Sequence, residues 1–431
     1  MTLRKRIAWL VPYPLRGSGG HRTIYQNIAA LHHAGYECHV YLEAHPPDGV
    51  VGYGSIRDGK NLAETYFGTI PAIFHKGFDV SDDFDVVFAT AWFTAEALRH
   101  RNPKGIKAYF IQDYESFFMP MGDSFIRARN TFRFGFAGIS IGSWLAHELN
   151  AEFGMSCGHF DFCADHRVYR DLGRKRERAV CFVYQPEKPR RCSVVGGEAL
   201  TILKAERPDV AVYLYGNDQL SNLPFDHHHK GLISLEACND LYNRCQVGLC
   251  ISSTNPSRVP FEMMAAGLPV VDIFGTNNLF DYNDSTITLA ESSPEAIAKA
   301  IIALLDDDEA RTARGRAGVE FMAPRKLELG FQQFVAYVDN LTKIGDLPSP
   351  PPVQSYHRRA VSCDRVEAQR LYEAKLSMEK PIAGKPAAAL PLSPAARPPI
   401  ESHPAPRRDP LWARGYMRIR DTLNVLRRGH M

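Results

Sequence analysis

The sequence predicts an α/β protein with two Rossmann-like, doubly wound domains facing each other across a cleft, followed by a proline-rich tail. Three observations lead there. Short apolar runs alternate with helical periodicity twice over, and each array carries a glycine loop or a helix start at a strand tip. The chain of 431 residues is too long for one ordinary core. Beyond residue 347 the composition turns to proline and alanine. The expected divisions are 1–165 and 166–345 for the two domains, a largely disordered linker over 346–410, and a basic amphipathic helix over 411–431.

Composition narrows the function classes. A net charge of +3 from 51 basic and 48 acidic residues says nothing strong about partners, and no nucleic-acid partner is expected. Nine cysteines lie scattered without a CxxC pair, and Cys181 and Cys250 fall in apparent strands. That pattern predicts reduced, buried thiols and a cytoplasmic home. No run reaches the length of a membrane helix, and the first fifteen residues are too proline-broken for a signal peptide.

The first array opens with a strand at 6–11, a loop ending Gly17-Ser18-Gly19-Gly20, a helix over 21–34 and a strand at 38–42. Residues 86–89 and 108–111 read as strands three and four, 136–141 as a further strand, and 143–153 as a helix. Residues 158–168 are expected to cross to the second domain. Ligands of open parallel sheets bind beyond the carboxyl ends of strands. Asp113 and Glu115 follow such an end, either to orient an acceptor hydroxyl, or else to cap a following helix or pair with Arg127 and Arg129. Gly17-x-Gly19 with Glu43 after the next strand also resembles part of a dinucleotide site, although Arg22 stands at the third glycine position.

The second array predicts strands at 180–184 and 210–215 and helices over 194–205 and 235–244. Its centre is 247–275, VGLCISSTNPSRVPFEMMAAGLPVVDIFG. This reads as a strand, a turn of small polar residues, a helix stopped at Gly267 before Pro269, and a second strand. Unpaired amides at such a helix start favour phosphate. Glu262 is the sole formal charge within 259–267, and its carboxylate needs partners such as ribose hydroxyls. A plainer reading makes it a charge near the start of its own helix.

The string PFEMMAAGLPVV resembles the donor-binding segment of retaining glycosyltransferases of family 4, which have the GT-B fold. Asn255-Pro256-Ser257 leading into Glu262 is more similar to bacterial rhamnosyltransferases of the WsaF kind. The family's second Glu is replaced here by Thr254, which affects the sugar end of the donor rather than the nucleotide end. The resemblance covers about residues 5–343. It implies a nucleoside-diphosphate sugar donor such as dTDP-rhamnose, a surface-polysaccharide or lipid-linked glycan acceptor, retention at the anomeric carbon, and neither cofactor nor metal. A basic loop after the first strand of the second domain is implied too, with Lys188, Arg190 and Arg191 as candidates. A forked guanidinium suits a diphosphate.

The candidate donor-binding residues are Gly19, Gly20, Tyr184, Lys188, Arg190, Arg191, Gly216, Asn217, Asn255, Ser257, Arg258 and Glu262. Asp113 and Arg191 are the catalytic candidates. Two rivals stand beside this reading: an NAD-dependent oxidoreductase resting on Gly17–Gly20 and Glu43, and a catalytically inactive GT-B module that binds glycan. His227-His228-His229 has no framing ligand pattern, so no metal site is assigned to it. A surface helix is expected over 294–305, helices over 307–322 and 325–343 that close the GT-B part, the last crossing back onto the first domain, and a polar helix near 366–380. In the tail, Trp412, Tyr416, Ile419 and Leu423 alternate with arginines. Such a helix suits peripheral contact with the inner face of the cell membrane, or docking on protein.

Overall fold

The computed structural model describes residues 5–47, 52–81, 83–101, 103–345, 347 and 353–379. Its first sheet holds β1 (Arg6–Val11), β2 (Glu37–Leu42), β3 (Ile73–Lys76), β4 (Val86–Ala89), β5 (Ile106–Ile111), β6 (Ala137–Ile141) and β7 (Cys157–Phe160). The strands are parallel, in the order β3-β2-β1-β4-β5-β6-β7. The second sheet holds β8 (Glu177–Val183), β9 (Ala211–Tyr215), β10 (His228–His229), β11 (Cys245–Leu249), β12 (Val270–Ile273) and β13 (Ile287–Ala290). These are also parallel, in the order β10-β9-β8-β11-β12-β13. Central strands such as β4 and β12 are buried along their whole length, because helices cover both faces of a parallel sheet.

Helices α1 (Gly19–His33), α2 (Ile56–Phe67), α3 (Trp92–Arg99), α4 (Asp123–Thr131) and α5 (Ser143–Phe153) belong to the first domain. The second carries α6 (Ser193–Glu206), α7 (Leu235–Arg244), α8 (Arg258–Ala265), α9 (Pro294–Asp306), α10 (Asp308–Met322), α11 (Leu327–Ile344) and α12 (Arg365–Glu379). Strand order reverses between β1 and β4 in one sheet and between β8 and β11 in the other. Those two switch points open crevices at the strands' carboxyl ends. The loops there are 12–18 after β1, 184–192 after β8 and 250–257 after β11.

Helix α11 returns from the second domain onto the first. Phe334 packs 5.8 Å from Trp9, which also stacks on Phe88 at 4.6 Å. A Cβ on Gly158 would sit 2.4 Å from the Tyr337 ring, so glycine at this point of β7 is what lets the helix approach. At the other end of the core, α8 stops where expected. Gly267 takes φ +68°, a left-handed conformation that glycine adopts without the Cβ penalty.

Three expectations need correction. Strands β4 and β5 are not third and fourth, because β3 precedes them; β3 lies at the sheet edge, half exposed, and has no apolar run to announce it. Residues 157–160 are a strand rather than part of a crossover. The described part of the expected linker, 353–379, is packed on the second domain. Ser355 and Tyr356 donate N–H to the Leu279 carbonyl, Val361 bridges to Ala290 beside β13, and Leu371 of α12 is buried in the second core. Ion pairs Lys375–Glu198 at 2.9 Å and Arg370–Glu206 at 2.8 Å hold α12 on α6. Residues 380–431, including the segment where a tail helix is expected, lie outside the described residues.

Candidate functional site

The two switch-point crevices face each other, and the loops at their mouths touch. The Asn255 amide nitrogen donates to the Gln112 carbonyl at 3.0 Å and the Ile141 carbonyl at 3.3 Å, at the tips of β5 and β6. Arg258, first residue of α8, donates to Thr23 Oγ1 on α1 at 2.9 Å and to the Cys163 carbonyl at 3.4 Å. The Arg190 guanidinium lies 4.5 Å above the Phe118 ring. The Asp281 carboxylate accepts the N–H groups of Ser143 and Trp144 at 2.7 and 3.3 Å, capping α5 from the other domain.

The basic loop is tightly shaped. Pro189–Arg191 forms a 3₁₀ turn, and Cys192 then takes φ +47°, a left-handed conformation that costs a non-glycine residue about 1–3 kcal/mol. That kink starts α6 directly after Arg191. Helix α6 has no acidic residue in its first turn and no side-chain cap. Ser253 Oγ donates to the Arg190 carbonyl at 2.7 Å, fixing the loop against the turn after β11. Arg191 Nε is buried with no partner among the described residues. Its charge helps hold three carboxyls, Asp113, Glu262 and Asp272, toward their ionised forms. A half-buried arginine with an unpartnered Nε beside an uncapped helix start is suited to bind an anion.

Glu262 is half-buried on α8. Burial raises its pKa, while the charges of Arg258 and Arg22, a hydrogen bond from Tyr169 and the charge of Arg191 pull it back. Asp113 behaves similarly: burial raises it, and Arg190, the Thr254 side chain and Arg191 oppose the rise. Asp272 is fully buried, and burial pushes it up to about 7 although Ser252 and Ile273 both donate N–H to Oδ1 at 2.8 Å. Glu115 caps α3 by accepting the Trp92 N–H at 2.6 Å, and burial pushes it up to about 8. Arg127 and Arg129 pair with Glu96 and Glu152 instead.

The cleft thus brings together Asp113, Arg190, Arg191 and Glu262, with Gly20 at its rim, where a Cβ would stand 3.5 Å from the Gln112 amide. Other expected donor residues have different occupations. The Asn255 side-chain nitrogen is held by first-domain carbonyls, and Ser257 Oγ caps α8 through Val259 N–H. Tyr184 packs against the second core. Lys188 pairs with Glu187 at 3.5 Å, and Asn217 donates to that same carboxylate at the rim. Gly216 takes φ +103° and accepts from the Gln185 amide at 3.0 Å. Gly19 faces open space. The Glu43 carboxylate accepts the Tyr13 N–H at 3.0 Å. Of the three histidines, His228 stacks on Tyr213, while His227 bonds Ser221 and the Phe225 carbonyl.

Residues 178–302 match the family model described as WsaF, C-terminal domain. O-antigen biosynthesis protein RfbC of Myxococcus xanthus is 31% identical over 229 residues, which span 49% of this chain and 17% of that protein. Sucrose-phosphate synthase from Thermosynechococcus elongatus superposes with TM-score 0.59 at 14% identity, covering 78% of this chain and 99% of the other. Anabaena HepE, solved with UDP-glucose, gives TM-score 0.59 at 16% identity, covering 78% and 100%. The fold is GT-B.

Within this GT-B cleft, sequence reasoning missed Arg22, Tyr169 and Asp272 as neighbours of the site. Arg22 had a signal, as the residue filling the third glycine position of the partial dinucleotide pattern. One turn into α1, it reaches the Glu262 side of the cleft. Tyr169 and Asp272 sit in a connection and a buried strand, where nothing local marks them.

Proposed function

We propose that the protein is a glycosyltransferase that moves a sugar from a nucleoside-diphosphate donor onto a glycan during polysaccharide synthesis. The observation that carries this reading is Arg191, a cation with a buried, unpartnered Nε beside the uncapped start of α6. The diphosphate binds there, and Glu262, one helix away, takes the ribose hydroxyls. As the glycosidic bond breaks, charge builds on the leaving diphosphate. Arg191 and the helix-start amides stabilise that charge more than they stabilise the ground state. Asp113, across the cleft on the first domain, orients the acceptor hydroxyl.

Finer features belong to the same proposal. The donor sugar is a deoxyhexose such as rhamnose, in keeping with the WsaF match, and transfer proceeds with retention and without a bound metal. The relation to a protein solved with UDP-glucose supports a nucleotide-sugar donor. The rival of an inactive glycan-binding module draws on Thr254 and on Asn255, whose amide nitrogen is held by the first domain. A panel of nucleoside-diphosphate sugars, assayed for release of the nucleoside diphosphate with a lipid-linked or soluble glycan acceptor, tests the reading. Acceptor-dependent release supports it. Glycan binding with no release from any donor would favour the inactive module.

A further inference from the structure

Behind the cleft, beside the crossovers between domains, lies a second cavity of about 240 Å³. Phe261 of α8 lines it one residue before Glu262, yet the cavity is built from other parts of the chain. Phe162 follows β7, Phe280 precedes β13, and Phe321 ends α10. The segment 353–355, expected to be linker, forms part of its rim.

Its polar groups divide into those already committed and those left over. Asp281 also lines the wall, but its carboxylate caps α5 through Ser143 and Trp144. Arg325 donates through Nη1 to the Phe321 carbonyl at 2.8 Å and lies 3.8 Å above the Phe321 ring. Its other N–H groups have no protein acceptor among the described residues. Asp161 accepts from the Gln333 amide through Oδ2 at 3.1 Å, leaving Oδ1. The His159 ring makes no hydrogen bond among the described residues. Donors and an acceptor are therefore left facing a space walled by aromatic rings.

We propose that this cavity binds one neutral sugar ring. Charge argues for neutrality: an anion would meet Asp161 and Asp281, and a cation would meet Arg325. A ring with hydroxyls on its edge and C–H groups on its faces satisfies both the leftover donors and acceptor and the phenylalanine walls. Size argues for a single ring, because the volume falls below the roughly 300–1,000 Å³ of sites for larger ligands. Both domains line the cavity, so its occupant holds them in this mutual arrangement. The proposal stands on these residues alone and does not depend on the reaction assigned to the cleft.

The test is saturation-transfer NMR on the full chain with glucose, galactose, rhamnose and short oligosaccharides of each. Excess UDP and dTDP are present to occupy the cleft. Sugar binding is expected to persist under those conditions, to weaken at least tenfold in Arg325→Ala and Phe280→Ala, and to remain in Arg191→Ala. Val353→Trp, a change at an exposed rim residue, should block the mouth if the other variants fold poorly. Binding of free monosaccharide identifies a site for the sugar itself. Binding of oligosaccharides only identifies a site for one residue of a glycan chain. No binding of either, or binding lost in Arg191→Ala and intact in Arg325→Ala and Val353→Trp, would overturn the proposal.

Discussion

Arg191→Ala tests the centre of the cleft. In the ligand-free protein the guanidinium has an unpartnered, buried Nε and interacts with Asp113, Glu262 and Asp272 through its charge. Its removal breaks no hydrogen bond at Nε but withdraws a cation from three carboxyls, so folding stability should fall modestly. With a diphosphate bound, two forked N–H bonds to charged oxygens are each worth about 1.5–3 kcal/mol. If most of that is realised as the leaving charge develops, the loss is about 3–5 kcal/mol. At about 1.4 kcal/mol per decade this lowers turnover roughly 10²- to 10³·⁵-fold. Arg191→Lys keeps the charge without the fork and should recover only part of the loss. Arg190→Ala removes a contact over Phe118 worth about 0.5–2 kcal/mol and should act less, mainly on KM. The assay is the initial rate of nucleoside-diphosphate release, with kcat and KM separated and melting temperatures recorded beside them. A folded Arg191→Ala protein within threefold of wild-type kcat, or a larger deficit in Arg190→Ala, would refute the assignment.

The other predictions concern the cleft, the core and the tail. Glu262→Gln should weaken nucleoside-diphosphate binding by about 1–3 kcal/mol in calorimetry while the fold survives; unchanged affinity would remove Glu262 from the nucleotide site. Asp272 has a folded-state pKa raised to about 7, so the native protein holds its proton more tightly than the unfolded chain does. Its contribution is therefore fully present below about pH 4 and lost as pH rises toward 7, by up to about 4 kcal/mol at 1.36 kcal/mol per unit. Urea unfolding should show Asp272→Asn more stable than wild type at pH 8, with the gap closing toward pH 4; a gap independent of pH would contradict this. A chain truncated before Leu411 should keep activity on a soluble acceptor and lose low-salt binding to anionic vesicles, where each arginine adds about 1 kcal/mol. Equal sedimentation of both proteins with such vesicles would assign the tail helix another task.

Legibility followed the physics of burial. Strands β1, β4, β11 and β12 were readable because two-sided burial in a parallel sheet writes a continuous apolar run. Helices α5 and α7 were readable because one apolar face repeats at helical spacing. Strand β3 was not, since an edge strand with half-exposed residues loses that pattern. The segment 353–379 looked like linker because its proline neighbours dominate the composition, while its docking depends on scattered residues such as Tyr356, Val361 and Leu371. At the site, Glu262 announced itself as a lone charge in an apolar helix. The choice among Lys188, Arg190 and Arg191 required three dimensions. Only the fold shows that one pairs with Glu187, one covers Phe118, and one has a buried, unpartnered Nε.

The turn Ser252–Ser257 has two roles that pull on the same residues. Asn255 and Arg258 join it to β5, β6 and α1 of the first domain, while Ser253 holds the basic loop that carries Arg191. Any shift of one domain against the other therefore moves the Arg191 loop and the start of α8 together. This explains why a segment that reads as donor-binding spends the Asn255 amide nitrogen and the Arg258 terminal nitrogens on the first domain, leaving only Asn255 Oδ1 and Arg258 Nε without a partner among the described residues. Asn255 fixes where the cleft's two walls meet, so that Arg191 and Glu262 meet Asp113 at a set separation. Positioning of this kind supplies much of the barrier reduction in a reaction whose reacting centres come from two substrates. It places the demand for accuracy on the domain contact as much as on the residues that touch the ligand.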